Sequence, residues 1–182
     1  MRIYVIRHGQ SEANLVVAHA GWSQVPLTEK GIAQAVAAGK RLEGLHFDKI
    51  ISSDTYRAQQ TVQNALPGRE YVTDRRLREI DVGALEDRRV AECAAELGEP
   101  YHRARAIRDF TPYGGENWQM IRSRVSEFMD ELTKLLKNYA VHNRTKEVIP
   151  DRILRRYRRS SEFNKGFATV ELIAAAYIDL DL

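Results

Sequence analysis

The chain has one cysteine, Cys93, which excludes an internal disulfide, and its place among alanines in a predicted helix gives no sign of a metal site. No apolar run approaches the roughly 20 residues that a membrane-spanning helix needs. Internal repeats, low-complexity tracts and an interdomain linker are also missing. Strand-like residues begin at position 2 and leave no room for a signal peptide, so the expected location is cytoplasmic. With 43% hydrophobic and 29% charged residues, the 182-residue chain is expected to form one domain over 1–182 with one sizeable core.

Basic charge is also missing from most of the chain, although the sequence pI is about 9.0. Residues 144–159 hold seven basic residues (Arg144, Lys146, Arg152, Arg155, Arg156, Arg158, Arg159) against two acidic ones (Glu147, Asp151), a net of +5. The whole chain carries only +3, which leaves −2 elsewhere. The run has Tyr157 as its one aromatic, so it is read as a solvated helix face rather than a nucleic-acid contact.

Strands are predicted at 2–6, 47–51 and 70–73, with further segments at 146–149 and 168–173, and helices lie between them. The alternation argues for an α/β fold, a three-layer sandwich with a mainly parallel sheet and helices on both faces. The clearest helix is 117–137, where Trp118, Ile121, Val125, Phe128, Met129, Leu132 and Leu136 recur at helical spacing and read as core. Residues 86–110 read as helices over the mouth of a site, with Arg103, Arg105 and Arg108 mostly on a solvated face.

The first strand, Ile3-Tyr4-Val5-Ile6, runs directly into Arg7-His8-Gly9. His8 is thereby presented at a strand's carboxyl end, where open α/β sheets keep their ligand crevices. Gly9 is expected to let the backbone turn and approach a ligand without a Cβ. A neutral imidazole is a competent nucleophile, and the neighbouring guanidinium offers a planar fork matched to phosphate oxygens. The pair points to phosphoryl transfer through a phosphohistidine.

The longer run Arg7-His8-Gly9-Gln10-Ser11-Glu12-Ala13-Asn14 resembles the signature of the histidine phosphatase superfamily, the phosphoglycerate mutase-like branch, in which this histidine is phosphorylated. Pro26-Leu27-Thr28-Glu29-Lys30-Gly31-Ile32-Ala33-Gln34-Ala35 resembles its second block, with Thr28 placed to cap a helix bearing Ile32, Ala35, Val36 and Leu42 on one face. Ile50-Ile51-Ser52-Ser53-Asp54-Thr55-Tyr56-Arg57 resembles the third, a strand end, serine caps and a helix with Arg57 in its first turn, where an anion is favoured. Leu77-Arg78-Glu79-Ile80-Asp81-Val82-Gly83 resembles the block that supplies the general acid, here Glu79; read by itself, Glu79 is a loop carboxylate paired with Arg75, Arg76 or Arg78. Gly114-Gly115-Glu116-Asn117 is similar to the element that precedes the long helix, with Asn117 as its cap.

The resemblance runs from residue 1 to about 137 and then departs. The family carries a later strand ending in a second histidine, normally followed by glycine, and no Val-x-x-His-Gly stretch exists here. Tyr139-Ala140-Val141-His142-Asn143 supplies the one candidate, His142; residues 138–167 are atypical, as if a strand-helix unit of about 20 residues were missing or replaced. His19, His46 and His102 read as structural or exposed.

The resemblance implies catalytic roles for His8, Glu79, Arg7 and Arg57, substrate contacts from Arg7, Asn14, Arg57 and His142, a small phosphorylated substrate, and no metal or cofactor. It implies a metal-independent phosphomonoester hydrolase. Two alternatives stand beside it. One is mutase-type transfer, disfavoured because family mutases usually carry longer insertions over the site. The other is a degenerate phosphate binder, motivated by the missing histidine, since losing one charge-stabilising donor commonly costs about 100- to 1000-fold in rate.

Overall fold

The β-branched and aromatic residues after Met1 form β1 (Arg2–Ile6). The computed structural model describes residues 2–139 and 173–177. After β1 come α1 (Glu12–Val16), α2 (Glu29–Lys40), β2 (Lys49–Ser52), α3 (Tyr56–Ala65), β3 (Val72–Thr73), α4 (Val90–Ile107), α5 (Trp118–Tyr139) and β4 (Ile173–Tyr177). Short 3-10 turns stand at Arg75–Leu77, Gly83–Leu85 and Thr111–Tyr113. The first three expected strands lie within two residues of their predicted bounds. The segments expected at 146–149 and 168–172 fall outside the described residues, as does the basic run; the described strand begins only at Ile173.

The sheet order is β1-β4-β2-β3. β2 and β3 pair in parallel, while β4 lies antiparallel to both β1 and β2. β1, β2 and β3 therefore share one direction, and β4 runs against them. Alternate side chains point to opposite faces of a strand. Tyr4, Ile6 and Ile50 accordingly meet Leu42, Phe47, Val62, Ala65 and Leu66 beside α2 and α3, while Ile3 and Ile51 meet Leu77 and the Phe128 and Leu132 side chains of α5. This is the three-layer α/β arrangement. A separate cluster of Ile80, Val82, Leu85, Cys93, Tyr101 and Phe110 packs under α4 and buries the single thiol. Among the described residues, no helix is long and apolar enough to cross a membrane.

Thr28 caps α2 by accepting the Gly31 N–H at 3.1 Å. The buried stripe of α2 differs from the expected one. It is Gly31, Ala35 and Gly39, at i, i+4 and i+8, while Val36 is 42% exposed. The cause is close backbone approach: a Cβ at Gly39 would lie 2.1 Å from the Ala65 carbonyl oxygen at the end of α3. Small residues let α2 press onto α3, and larger apolar ones are displaced to its flanks.

That contact reverses the ordinary effect of a glycine-to-alanine change. In an open helix interior, Gly→Ala gains about 1 kcal/mol, whereas overpacking a tight contact costs about 1–3 kcal/mol. Gly39→Ala is expected to destabilise the fold by up to about 2 kcal/mol net and so to lower the urea midpoint. A raised midpoint would show that the α2–α3 contact yields freely.

Candidate active site

His8 lies two residues past the end of β1, and its ring is fixed by the neighbouring main chain: Nδ1 lies 2.6 Å from the Gly9 carbonyl oxygen. A carbonyl only accepts, so Nδ1 carries the hydrogen and the lone pair belongs to Nε2. The Gly9 N–H donates to Thr61 Oγ1 at 3.3 Å, and that hydroxyl donates to the Arg57 carbonyl at 2.8 Å. The space beside Gly9, expected to admit a ligand, is filled by α2. A Cβ there would sit 2.2 Å from the Gly31 oxygen. Gly9 borders the cleft as expected, but its missing Cβ serves the packing that holds His8. A cleft of about 410 Å³ opens beside it, walled by Arg7, His8, Gln10, Asn14, Gln34 and Ala35 among others. Arg7 is exposed at this opening.

Arg57 stands in the first turn of α3 and is 0% exposed. Its Nη1 donates to the Ser23 carbonyl at 2.9 Å and its Nη2 to the Gly21 carbonyl at 2.7 Å. The expected serine caps are replaced by Thr55, whose hydroxyl makes no capping bond. Instead Gln24 reaches in from the loop and accepts the Tyr56 N–H at 2.8 Å, and Gln60 returns the tie by accepting the Leu27 N–H at 2.7 Å. The 21–27 loop is thereby fastened along α3.

Glu79 meets Arg57, with Oε2 3.6 Å from Nη2. It does not pair with the arginines beside it in sequence: Arg76 goes to Asp74 and Glu131, and Arg78 makes a bidentate pair with Asp54. The Arg78 guanidinium also lies 4.8 Å from the centre of the Trp22 ring. Trp22 in turn donates its indole N–H to the Glu79 carbonyl at 2.9 Å. The same carbonyl accepts from Arg124 Nη2 at 2.8 Å. Arg124 is held by Glu116 through bonds of 2.9 and 3.0 Å, in a pair whose side chains are 13% and 9% exposed. Removing one member of such a pair costs about 3–5 kcal/mol, because the other charge stays buried.

The structure therefore brings His8, Arg7, Arg57 and Glu79 into one electrostatic neighbourhood, since the fields of Arg7 and Arg57 reach both His8 and Glu79. Arg57 and Glu79 do not belong to the cleft wall. Asn14 lines the cleft and also closes a capping box on α1, with Oδ1 accepting the Ser11 N–H at 3.1 Å. Asn117 caps α5, accepting the Met120 N–H at 3.0 Å. His142 lies outside the described residues. His19 Nε2 lies 2.6 Å from the Tyr101 hydroxyl under α4, and His46 and His102 are exposed. Arg103 and Arg105 form the exposed face expected of them, and Arg108 is close enough for its charge to act on Glu79. Trp22, Glu116 and Arg124 carry the support of Glu79, and no periodicity in the sequence marks them for it.

Burial sets the charge states. It drives the His8 pKa from 6.5 down to about 4, aided by Arg57 and Arg7 and opposed by the Gly9 bond. It pushes Glu79 above its ordinary 4.5, against the opposing fields of Arg57, Arg7 and Arg108. In water a carboxyl loses its proton before an imidazolium does. Here the order is inverted. Between the two values His8 is neutral while Glu79 still holds its proton.

Nuclear magnetic resonance titration of the ring is expected to find His8 near 4, with Glu79 titrating above 4.5. The folded His8 pKa is depressed, so its contribution to stability is complete above 6.5 and is lost as pH falls toward about 4. The shift corresponds to about 3 kcal/mol. Glu79 has the opposite sign: its contribution is complete below 4.5 and is lost as pH rises through its elevated value. A His8 resonance titrating at 6.5 or above would remove the inversion.

Residues 3–158 match the family described as the histidine phosphatase superfamily (branch 1). A 2,3-bisphosphoglycerate-dependent phosphoglycerate mutase of Brucella ovis is 40% identical over 131 residues, covering 68% of this chain and 64% of its own length. The chain thus spans a little under two thirds of that curated relative. Among solved structures, the alpha-ribazole phosphatase of Shigella flexneri is 31% identical with a TM-score of 0.66, over 71% of this chain and 66% of that one. A mycobacterial glucosyl-3-phosphoglycerate phosphatase in complex with VO3 is 30% identical with a TM-score of 0.66, over 74% and 68%. By sequence and by fold, then, this chain belongs to the histidine phosphatase superfamily.

Proposed function

We propose that the protein hydrolyses small phosphomonoesters through a phosphohistidine on His8, without a metal. The observation that carries this reading is geometric: the Gly9 carbonyl holds His8 Nδ1 and leaves the Nε2 lone pair for attack, Glu79 lies 3.6 Å from Arg57, and the fields of Arg7 and Arg57 reach both groups, with burial favouring the neutral imidazole and the protonated carboxyl. The exposed Arg7 fork receives the phosphoryl oxygens, and the buried Arg57 adds positive potential behind them. The Nε2 lone pair forms a bond to phosphorus as the ester P–O bond breaks, and Glu79 gives its proton to the leaving oxygen. Water then attacks phosphorus, its proton returns to the Glu79 carboxylate, and the P–N bond breaks to release phosphate. Asn14, at the cleft wall, contacts the substrate.

Similarity to a mutase-named relative supports a second acceptor, in which a hydroxyl of another phosphoglycerate takes the place of water. Phosphate release measured against phosphoglycerate interconversion separates the two. With an aryl phosphate in EDTA, His8→Ala is expected to lose at least about 1000-fold in rate, as removal of a covalent nucleophile does. A burst with labelled substrate should leave acid-labile phosphate on the wild type alone. The rate with alkyl phosphates should fall as pH rises through the elevated Glu79 pKa, because the acid must be protonated to donate. Equal rates for wild type and His8→Ala would overturn the proposal.

A further inference from the structure

We infer that Arg124, locked by Glu116, is a positioning residue that aims the Glu79 carboxyl by gripping the main chain on both sides of it. This rests on the reading of Glu79 as the general acid. Glu79 lies between the 3-10 turns Arg75–Leu77 and Gly83–Leu85, in a stretch with neither helix nor strand ladder to fix its peptide planes. Side chains supply what regular structure does not. Arg124 Nη1 donates to the Arg76 carbonyl at 2.7 Å, and Nη2 donates to the Glu79 carbonyl at 2.8 Å. Glu116 Oε2 accepts the Asp81 N–H at 3.1 Å, and the Glu116 N–H donates to the Asp81 carbonyl at 2.9 Å. One buried ion pair therefore fastens the chain three residues before Glu79, at Glu79 and two residues after it.

The geometry needs a guanidinium. Nε and Nη2 take the two carboxylate oxygens of Glu116, and the outward N–H groups reach two main-chain carbonyls set apart by three residues. A lysine ammonium is a point donor and cannot span that fork. The Trp22 indole N–H meets the same Glu79 carbonyl from the 21–27 loop, which is the second grip. Both donors meet at the Glu79 carbonyl and hold the peptide from which the acid side chain projects. A general acid works only within hydrogen-bond reach of the leaving oxygen.

The test separates positioning from mere stability by varying the leaving group. Both esters are followed by first-turnover release of the alcohol, which reports phosphorylation of His8, because the later attack of water uses Glu79 as base whatever the leaving group. In that first step an alkyl phosphate needs its leaving oxygen protonated, and dinitrophenyl phosphate does not. Arg124→Lys is expected to lower the rate on the alkyl ester by about 10- to 100-fold, in line with the cost of misplacing a catalytic group by about an ångström. On dinitrophenyl phosphate the same variant should lose less than about threefold, since the acid's contribution is not used there. Trp22→Phe removes one indole N–H while keeping an aromatic ring under Arg78, and it carries the same expectation should Arg124→Lys not fold. Combined with Glu79→Gln, either change should add nothing further on the alkyl ester. Equal losses on both esters, with Glu79→Gln alone still selective, would overturn the positioning role and leave the acid assignment standing. A Glu79→Gln enzyme that loses both esters alike would instead remove the acid assignment, and the inference with it.

Discussion

A guanidinium sealed from water, that of Arg57, is the constraint around which the rest of the site is arranged. It occupies the first turn of α3, where the helix dipole is already positive and a cation is unfavourable. A charge so placed needs oxygen atoms, and the chain provides the Gly21 and Ser23 carbonyls and the Glu79 carboxyl. Satisfying Arg57 therefore folds the 21–27 loop onto α3 and sets Trp22 between the two carbonyls it binds. Trp22 is then in place to donate to Glu79. The group that concentrates positive potential also fixes the loop that steadies the acid.

Burial accounts for the charge states. Loss of water favours the neutral form of both a base and an acid, so it lowers His8 and raises Glu79. The arginines act in one direction on both groups, pushing each pKa down, and so cannot by themselves separate them in opposite senses. Desolvation outweighs them at Glu79 and reinforces them at His8. Restored to water, the two groups would ionise near 6.5 and 4.5, and the neutral pair would be a minor species at every pH.

The parts legible in the sequence were those governed by short-range rules. β1 was marked by Ile3 to Ile6, the α2 cap by Thr28, α5 by its apolar period, although Trp118, read as core at its start, is 36% exposed, and the four charged positions by the blocks that contain them. What was not legible depended on contacts between distant segments. Val36 looked like core because it lies on an apolar stripe, but the buried face of α2 is the one that carries Gly31, Ala35 and Gly39, and at Gly39 the α3 backbone leaves no room even for a methyl group. Gly9 looked like a ligand approach, and the intruder is the Gly31 backbone. Arg124 is one polar residue on an amphipathic helix, and Glu116 one acid in a glycine-rich turn. Only their meeting gives either a role.

The sheet explains why the legible blocks stop where they do. β1 and β2 run in the same direction with one strand's width between them, a slot in which a parallel strand would present its carboxyl end beside His8. β4 fills that slot in the opposite sense, pairing Ile173 with Ile6 and Tyr177 with Arg2. Its amino end, not its carboxyl end, therefore stands at the level of the site. A reversed strand exchanges which of its ends faces the site, so Tyr177, its last residue, lies opposite Arg2 at the far edge of the sheet. Under the proposed function, and among the described residues, the charge that develops on a transferring phosphoryl group is met from the first 139 positions: the strand end with Arg7 and His8, the helix start with Arg57, and the clamped loop with Glu79. On that reading the two guanidinium groups stabilise the transferring phosphoryl group, and the clamped loop has to hold the acid within reach of the leaving oxygen.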